Sequence, residues 1–253
     1  MAGRDEIIAF CDQLLEIASY DDYGPNGLQV PGPQEVSKLA TGVTANREFL
    51  VRARDAGAEL ALAHHGLFFG DAPRALSEQM AERLRVALCG GLSLAAYHLP
   101  LDAHRELGNN ALLCRGLGLE LDQQPFGEFK GTAIGVVGRS ENGIGLDELV
   151  SRVAELCGRQ PLVFDGGPAQ ISTVGIITGG GSRAIHEAAA LRLDAFITGE
   201  PSEHVMGDAF EGGVHFIAAG HYATETFGVR RLGELVAERF EIEHEFVDVP
   251  NPV

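Results

Sequence analysis

Short apolar runs with β-like character alternate with stretches of 3.6-residue apolar spacing through most of this chain, and that alternation restricts the fold more than any other feature. Parallel strands need a crossover connection, and a helix is the usual one, so the pattern predicts an α/β architecture of mixed sheets flanked by helices. Strands are expected at 59–65, 92–98, 131–138, 171–178, 194–198, 214–219 and 241–249. Helices are expected at 46–57, 73–89, 105–117, 145–157, 182–192, 202–211 and 224–239; the spacing is plainest in Leu146, Leu149, Val150, Val153 and Leu156.

The chain also repeats itself. Arg47–His65 parallels Ser182–Glu200 in hydropathy, with almost no identical residues. More telling is Gly-Leu-Ser-Leu-Ala-Ala-Tyr-His98-Leu-Pro-Leu-Asp102 beside Gly-Val-His-Phe-Ile-Ala-Ala-Gly-His221-Tyr-Ala-Thr-Glu225. Each apolar strand ends in a histidine followed four residues later by a carboxylate. A duplicated strand-to-helix unit accounts for this. The expected organisation is two related, intertwined α/β halves, 1–125 and 126–253, the second opening with a connector around 120–170. The polar clusters at 64–102 and 221–225 are expected to meet in a cleft between them.

With 253 residues, 45% of them apolar, the chain can bury a sizeable core. Its formal charge of −17 repels phosphate backbones, and no stretch gathers five or six Lys and Arg residues, which argues against nucleic acid as a partner. Cys11, Cys89, Cys114 and Cys157 lack Cys-x-x-Cys spacing and read as reduced core thiols. The charged N-terminus lacks the apolar core of a signal peptide, and no apolar run is long enough to cross a bilayer, so a cytoplasmic protein is expected.

His64-His65 follows Leu60-Ala-Leu-Ala63 and precedes Gly66, at the carboxyl end of a strand, where ligands gather in α/β sheets. Neighbours on a strand point to opposite faces, so both imidazoles serve one site only if the strand frays or two ions lie side by side. One structural and one exposed histidine is the alternative. In Tyr97-His98-Leu-Pro-Leu-Asp102-Ala-His104, Pro100 argues for a turn, and the mixture of imidazole and carboxylate suits zinc, manganese or iron. Asp102 as a helix cap is the competing reading. Four-residue spacing on a helical turn puts His221 and Glu225 on one face, with a favourable helix-terminal charge as the alternative for Glu225.

Three histidines and two carboxylates exceed one open tetrahedral zinc and suit two bridged ions, whose natural product is hydrolysis. Gly179-Gly-Gly181-Ser182 is either an anion-binding turn or a tight structural one. Glu200 and His204 are proton-transfer candidates, with capping or surface exposure as the alternative.

These residues resemble the GTP cyclohydrolase 1 type 2 family, dinuclear-metal-centre proteins akin to the eukaryotic NGG-interacting factors. The resemblance runs through Asp22-Tyr-Gly-Pro-Asn26-Gly-Leu-Gln29-Val, Ala63-His-His-Gly-Leu-Phe-Phe, His98-Leu-Pro-Leu-Asp102, Asn109-Asn110, Thr178-Gly-Gly-Gly-Ser, Phe196-Ile-Thr-Gly-Glu200, Gly220-His221-Tyr-Ala-Thr-Glu225 and Pro250-Asn-Pro. It is to the short bacterial form, without the long central insertion. It implies a centre of two divalent metal ions on His64, His65, Asp102, His221 and Glu225, with Glu225 bridging and His98 beside the centre. It further implies a ring-shaped homohexamer and a hydrolase acting on a small-molecule substrate such as a nucleotide, on the pattern of GTP cyclohydrolase. A metal-dependent scaffold or regulator without catalytic activity is the second reading.

Overall fold

Three parallel strands linked by helical crossovers occur twice along the chain. The computed structural model describes residues 1–70 and 75–253. Its first part runs α1 (Arg4–Leu14), β1 (Gly27–Val30), β2 (Lys38–Thr44), α2 (Arg47–Asp55), β3 (Leu60–His65), α3 (Glu78–Gly90), β4 (Ser93–Ala96), α4 (Leu99–Ala103) and α5 (Asn109–Gly116). The middle holds β5 (Phe126–Phe129), β6 (Thr132–Ile144), α6 (Leu146–Cys157), β7 (Leu162–Phe164) and β8 (Ile171–Ile177). Then come α7 (Ile185–Ala190), β9 (Ala195–Thr198), α8 (Val205–Gly212), β10 (His215–Ala218), α9 (His221–Thr224), α10 (Thr226–Phe240) and β11 (Glu243–Phe246). The chain divides into two units, Met1–Leu101 with Gly228–Val249, and Asp102–Phe227 with Pro250–Val253.

The first unit contains a five-stranded sheet in the order β11-β2-β3-β4-β1. All neighbours are parallel except β1, which runs antiparallel to β4. β3 is buried from Leu60 to His64, as a parallel strand covered on both faces must be. The strand β2 was not expected, because Thr41 and Gly42 interrupt its apolar run. Both have a packing reason. Thr41 is buried and bonds the His244 ring at 2.8 Å, and a Cβ on Gly42 would stand 2.5 Å from the Phe49 ring. Phe49 belongs to α2, which is capped where Asn46 accepts the Phe49 N–H at 2.9 Å.

The second unit contains a seven-stranded sheet whose parallel core is β10-β9-β8. β7 runs antiparallel to β10, and β6 antiparallel to β8. The two units therefore share one plan: an antiparallel edge strand, then strand-helix-strand-helix-strand. That plan is the structural form of the repeat in the sequence. It also shows why the repeat is weak as sequence, since each copy needs only apolar strand faces and a polar exit.

Several boundaries differ from expectation for identifiable reasons. Residues 73 and 74 of the expected helix 73–89 lie outside the described residues; α3 starts after Ser77, whose hydroxyl accepts the Met80 N–H, and ends at Gly91 with φ +63°. Pro100 is tolerated inside α4 because a first-turn residue has no intrahelical N–H bond to lose. The expected helix 182–192 divides into a 3-10 turn, Ser182–Ala184, and the short α7. Among the described residues no helix is long and apolar enough to cross a membrane.

The cysteines are not uniformly core thiols. Cys11 and Cys114 are buried, Cys157 is half-buried and Cys89, near the end of α3, is exposed. Burial pushes the Cys11 thiol up to about 12 and those of Cys114 and Cys157 to about 11. Iodoacetamide at about pH 8 is thus expected to modify Cys89 in the folded protein and to reach Cys11 and Cys114 only after unfolding. Peptide mass mapping before and after denaturation checks this.

Candidate functional site

In the first unit the exit of β3 gathers histidines. His64 is fully buried, and its Nδ1 lies 2.9 Å from the Tyr97 carbonyl. A carbonyl only accepts, so Nδ1 is the donor in this contact, which leaves Nε2 as the ring nitrogen that would ligate a metal. The Nδ1 of His65 meets the Thr44 hydroxyl at 3.2 Å. The two neighbouring rings approach to 4.7 Å between centroids despite strand alternation, and the His98 ring lies 5.1 and 5.5 Å from them. Donor atoms of His64, His65 and His98 all fall within 4.8 Å of one another.

His98 is placed by residues that sequence reasoning gave no role. The Asp22 carboxylate meets His98 Nδ1 at 2.7 Å and accepts from Asn26 Nδ2 and the Leu99 N–H, both at 2.9 Å. Asn26 Oδ1 accepts the His98 N–H at 2.8 Å. Burial works against the charged Asp22 carboxylate, but the His98 ring, Asn26 and the Tyr23 N–H outweigh it and hold its pKa below the ordinary range. Gly66, directly after His65, leaves room for Gln29: a Cβ there would stand 2.3 Å from its amide. Gln29 Oε1 accepts the Leu67 N–H at 2.8 Å and so holds the loop after the histidine pair. The signal for these roles was the Asp22–Gln29 motif, whose residues lie too far along the chain for spacing to connect them to His98.

In the second unit Asp102 is buried, and its Oδ1 accepts from Asn109 Nδ2 at 2.8 Å and from the Thr178 hydroxyl at 3.3 Å. It does not cap the following helix; the residue at the start of α5 is Gly108. Asn110 accepts the Thr178 N–H at 2.7 Å and donates to the Asp102 carbonyl at 3.1 Å, tying α4 to the end of β8. The Asn109-Asn110 and Thr178-Gly motifs thus hold one carboxylate. His104 turns its Nδ1 to the N–H groups of Glu106 and Leu107.

His221, at the exit of β10, lies between two carboxylates: Nδ1 bonds Glu200, and Nε2 is 3.1 Å from Glu225. Glu225 is only 2% exposed, so it is no surface charge decorating a helix end. Burial disfavours the imidazolium, yet Glu225 and Glu200 together push the His221 pKa up to about 9. A positive charge is what two carboxylates around one imidazole demand, and a divalent cation supplies it equally well. The Nδ1 contact makes Glu200 the orienting partner of His221, with Nε2 facing Glu225. His204, directly before α8, instead pairs with Asp208 in the first turn of that helix at 2.7 Å.

Two of the three glycine N–H groups in the turn after β8 are used within the fold. Gly179, at φ +65°, would place a Cβ 2.0 Å from Glu225 Oε1 and 3.1 Å from His221 Nε2. Its N–H bonds the Thr224 hydroxyl, and that of Gly181 bonds the Thr198 hydroxyl, both at 3.1 Å. Those two N–H groups are thereby turned to threonines rather than to an anion. The C-terminal residues Pro252 and Val253 also serve this corner, since Arg159 donates to the Pro252 carbonyl at 2.5 Å and Tyr222 N–H to that of Val253 at 3.1 Å.

The Duf34/NIF3 (NGG1p interacting factor 3) family model matches residues 2–252. The chain belongs to this family. It is 43% identical over 248 residues to a GTP cyclohydrolase 1 type 2 homolog of Deinococcus radiodurans, covering 98% of this chain and 94% of that one. It is 40% identical over 253 residues to the homolog of Escherichia coli K12, covering 98% of each. Among solved structures, protein ybgI, described as of unknown function, superposes with a TM-score of 0.93 at 39% identity over all of both chains. TTHA1606 from Thermus thermophilus does so at 0.86 and 35%, again over all of both. This Duf34/NIF3 protein therefore has the mixed α/β fold of its family and carries His, Asp and Glu groups fit to hold metal.

Proposed function

We propose that this protein is a metal-dependent hydrolase that binds two divalent ions, of zinc, iron or manganese, through His64, His65, Asp102, His221 and Glu225. Its substrate would be a nucleotide or related small molecule, consistent with relatives that carry the name GTP cyclohydrolase 1 type 2 homolog. The observation that carries the reading is the convergence of imidazole donors at the exit of β3, with His64 oriented by its Nδ1 contact to the Tyr97 carbonyl. The buried Asp102 and the His221–Glu225 pair supply hard oxygen and borderline nitrogen in the second unit.

Bound ions would provide Lewis acidity and a water of lowered pKa. The chain's own groups prepare for them. The Tyr97 carbonyl fixes the His64 ring, Glu200 fixes His221, and Asn109 with Thr178 aims Asp102. Glu200 is also the better placed of the two proton-transfer candidates, being the one bonded to His221.

Elemental analysis of the purified protein is expected to find two metal ions per chain, with the content falling in His64→Ala and Glu225→Ala. Both variants should lose turnover in a screen of GTP and other nucleotides while keeping wild-type circular dichroism. Undiminished turnover in a folded variant would overturn the assignment. Chelation that lowers thermal stability with no nucleotide consumed by the loaded protein would leave a scaffold instead. A homohexamer, the assembly proposed with this reading, is expected to give a light-scattering mass six times that of one chain. The cytoplasm is the proposed compartment.

A further inference from the structure

The second unit holds another set of donors, unrelated to the five residues above. His186, near the start of α7, and His204, directly before α8, stack their rings at 5.8 Å between centroids and 11° between planes. Asp208, in the first turn of α8, reaches both: its Oδ2 is 2.7 Å from His204 Nδ1 and 3.6 Å from His186 Nε2. Donor atoms of the three lie within 4.8 Å of one another.

What makes the set more than a chance surface cluster is its mounting. Each donor is next in sequence to a fully buried residue: Ile185 beside His186, Val205 beside His204 and Ala209 beside Asp208. Those three residues belong to one apolar cluster with Phe196 and Phe216 of the sheet. The helices carrying the donors are thus locked to a common core while the donors face solvent, with side-chain exposures of 66% for His186, 41% for His204 and 28% for Asp208. Preorganisation removes much of the ordering cost of capture.

We propose that His186, His204 and Asp208 form a separate, solvent-open binding site for one late first-row divalent metal ion. Two imidazole nitrogens and one carboxylate oxygen suit zinc, nickel or copper, and suit calcium or magnesium poorly, since those prefer an all-oxygen shell. Water completes the coordination, so the ion exchanges with the medium. This gives His204 a role independent of Glu200 and His221.

Equilibrium dialysis against buffered free zinc, with metal counted per chain, tests the proposal on the full-length protein. Wild type is expected to bind one zinc more than His186→Ala, His204→Ala or Asp208→Asn, or to hold that ion more than about tenfold tighter. His64→Ala and Glu225→Ala should retain this ion, which separates the site from the one proposed above. Because all three side chains reach solvent, the variants should keep the wild-type melting temperature without added metal, and magnesium should not compete. Identical zinc stoichiometry and affinity in wild type and His186→Ala would overturn the proposal, as would loss of the same ion in His64→Ala.

Discussion

Replacing Gly179 by alanine is expected to lower the melting temperature by about 5–15 °C and to weaken metal loading at the proposed ligands His221 and Glu225, leaving the proposed His186–His204–Asp208 site unaffected. The added methyl would overlap Glu225 Oε1 at 2.0 Å, and it would sit on backbone at φ +65°. Left-handed backbone costs a non-glycine residue roughly 1–2 kcal/mol, and overpacking a filled site typically about 1–3 more. Relief by moving Glu225 is poor, because its carboxylate is buried and engaged by His221. For a chain of this size each kcal/mol shifts the transition by about 2–4 °C. Calorimetry of the chelated protein measures the stability loss, and elemental analysis the metal. A Gly179→Ala protein that melts and loads like wild type would show that the turn tolerates a side chain, against the close approach described. Gly145 is the control: a Cβ there meets nothing within 4 Å, so Gly145→Ala is expected to shift the transition by less than about 3 °C.

The second large effect is expected at Asp22. Its side chain is 2% exposed and accepts from Asn26, Leu99 N–H and the His98 ring. Asp22→Ala removes the acceptor and strands these donors. Leaving buried polar groups unsatisfied costs about 1–3 kcal/mol each where water cannot replace the partner, so a loss of about 3–5 kcal/mol is expected in urea unfolding at pH 7. The pH dependence has a definite sign. The folded-state pKa of Asp22 lies below its unfolded value of about 3.9, so its stabilisation is complete above that pH and fades as the pH falls through the folded value. The gap between wild type and Asp22→Ala should therefore narrow only in strong acid. A gap unchanged down to about pH 2 would mean that the carboxylate charge contributes nothing and that only its shape matters.

These two residues mark how far the sequence could be read. The α/β class, the strand exits and the repeated histidine-to-carboxylate step were legible, because apolar periodicity and four-residue spacing are local properties of the chain. β2 escaped because Thr41 and Gly42 answer to His244 and Phe49, one of them 203 residues away. Asp22 had no assigned role since its partner His98 lies 76 residues on, and only the pairing of β1 with β4 brings the two segments together. Likewise Glu200 and His204 appeared in sequence as one pair of candidates, four residues apart. The fold separates their tasks: Glu200 leaves β9 toward His221, whereas His204 starts α8 beside His186.

The five proposed ligands are a case where chain order was enough to nominate residues but not to arrange them. Residue type and position near strand ends nominated His64, His65, His98, Asp102, His104, His221 and Glu225, and the family resemblance narrowed them to the five. Which ring nitrogen of His64 donates to the Tyr97 carbonyl, which carboxylate orients His221 and which amides aim Asp102 were decided by tertiary structure. Those choices depend on hydrogen bonds between segments that only the sheet order places side by side. Hydrophobic pattern determines which elements form, since burial acts on each segment's own surface. Donor geometry is set by where the segments dock, a property of the folded chain as a whole.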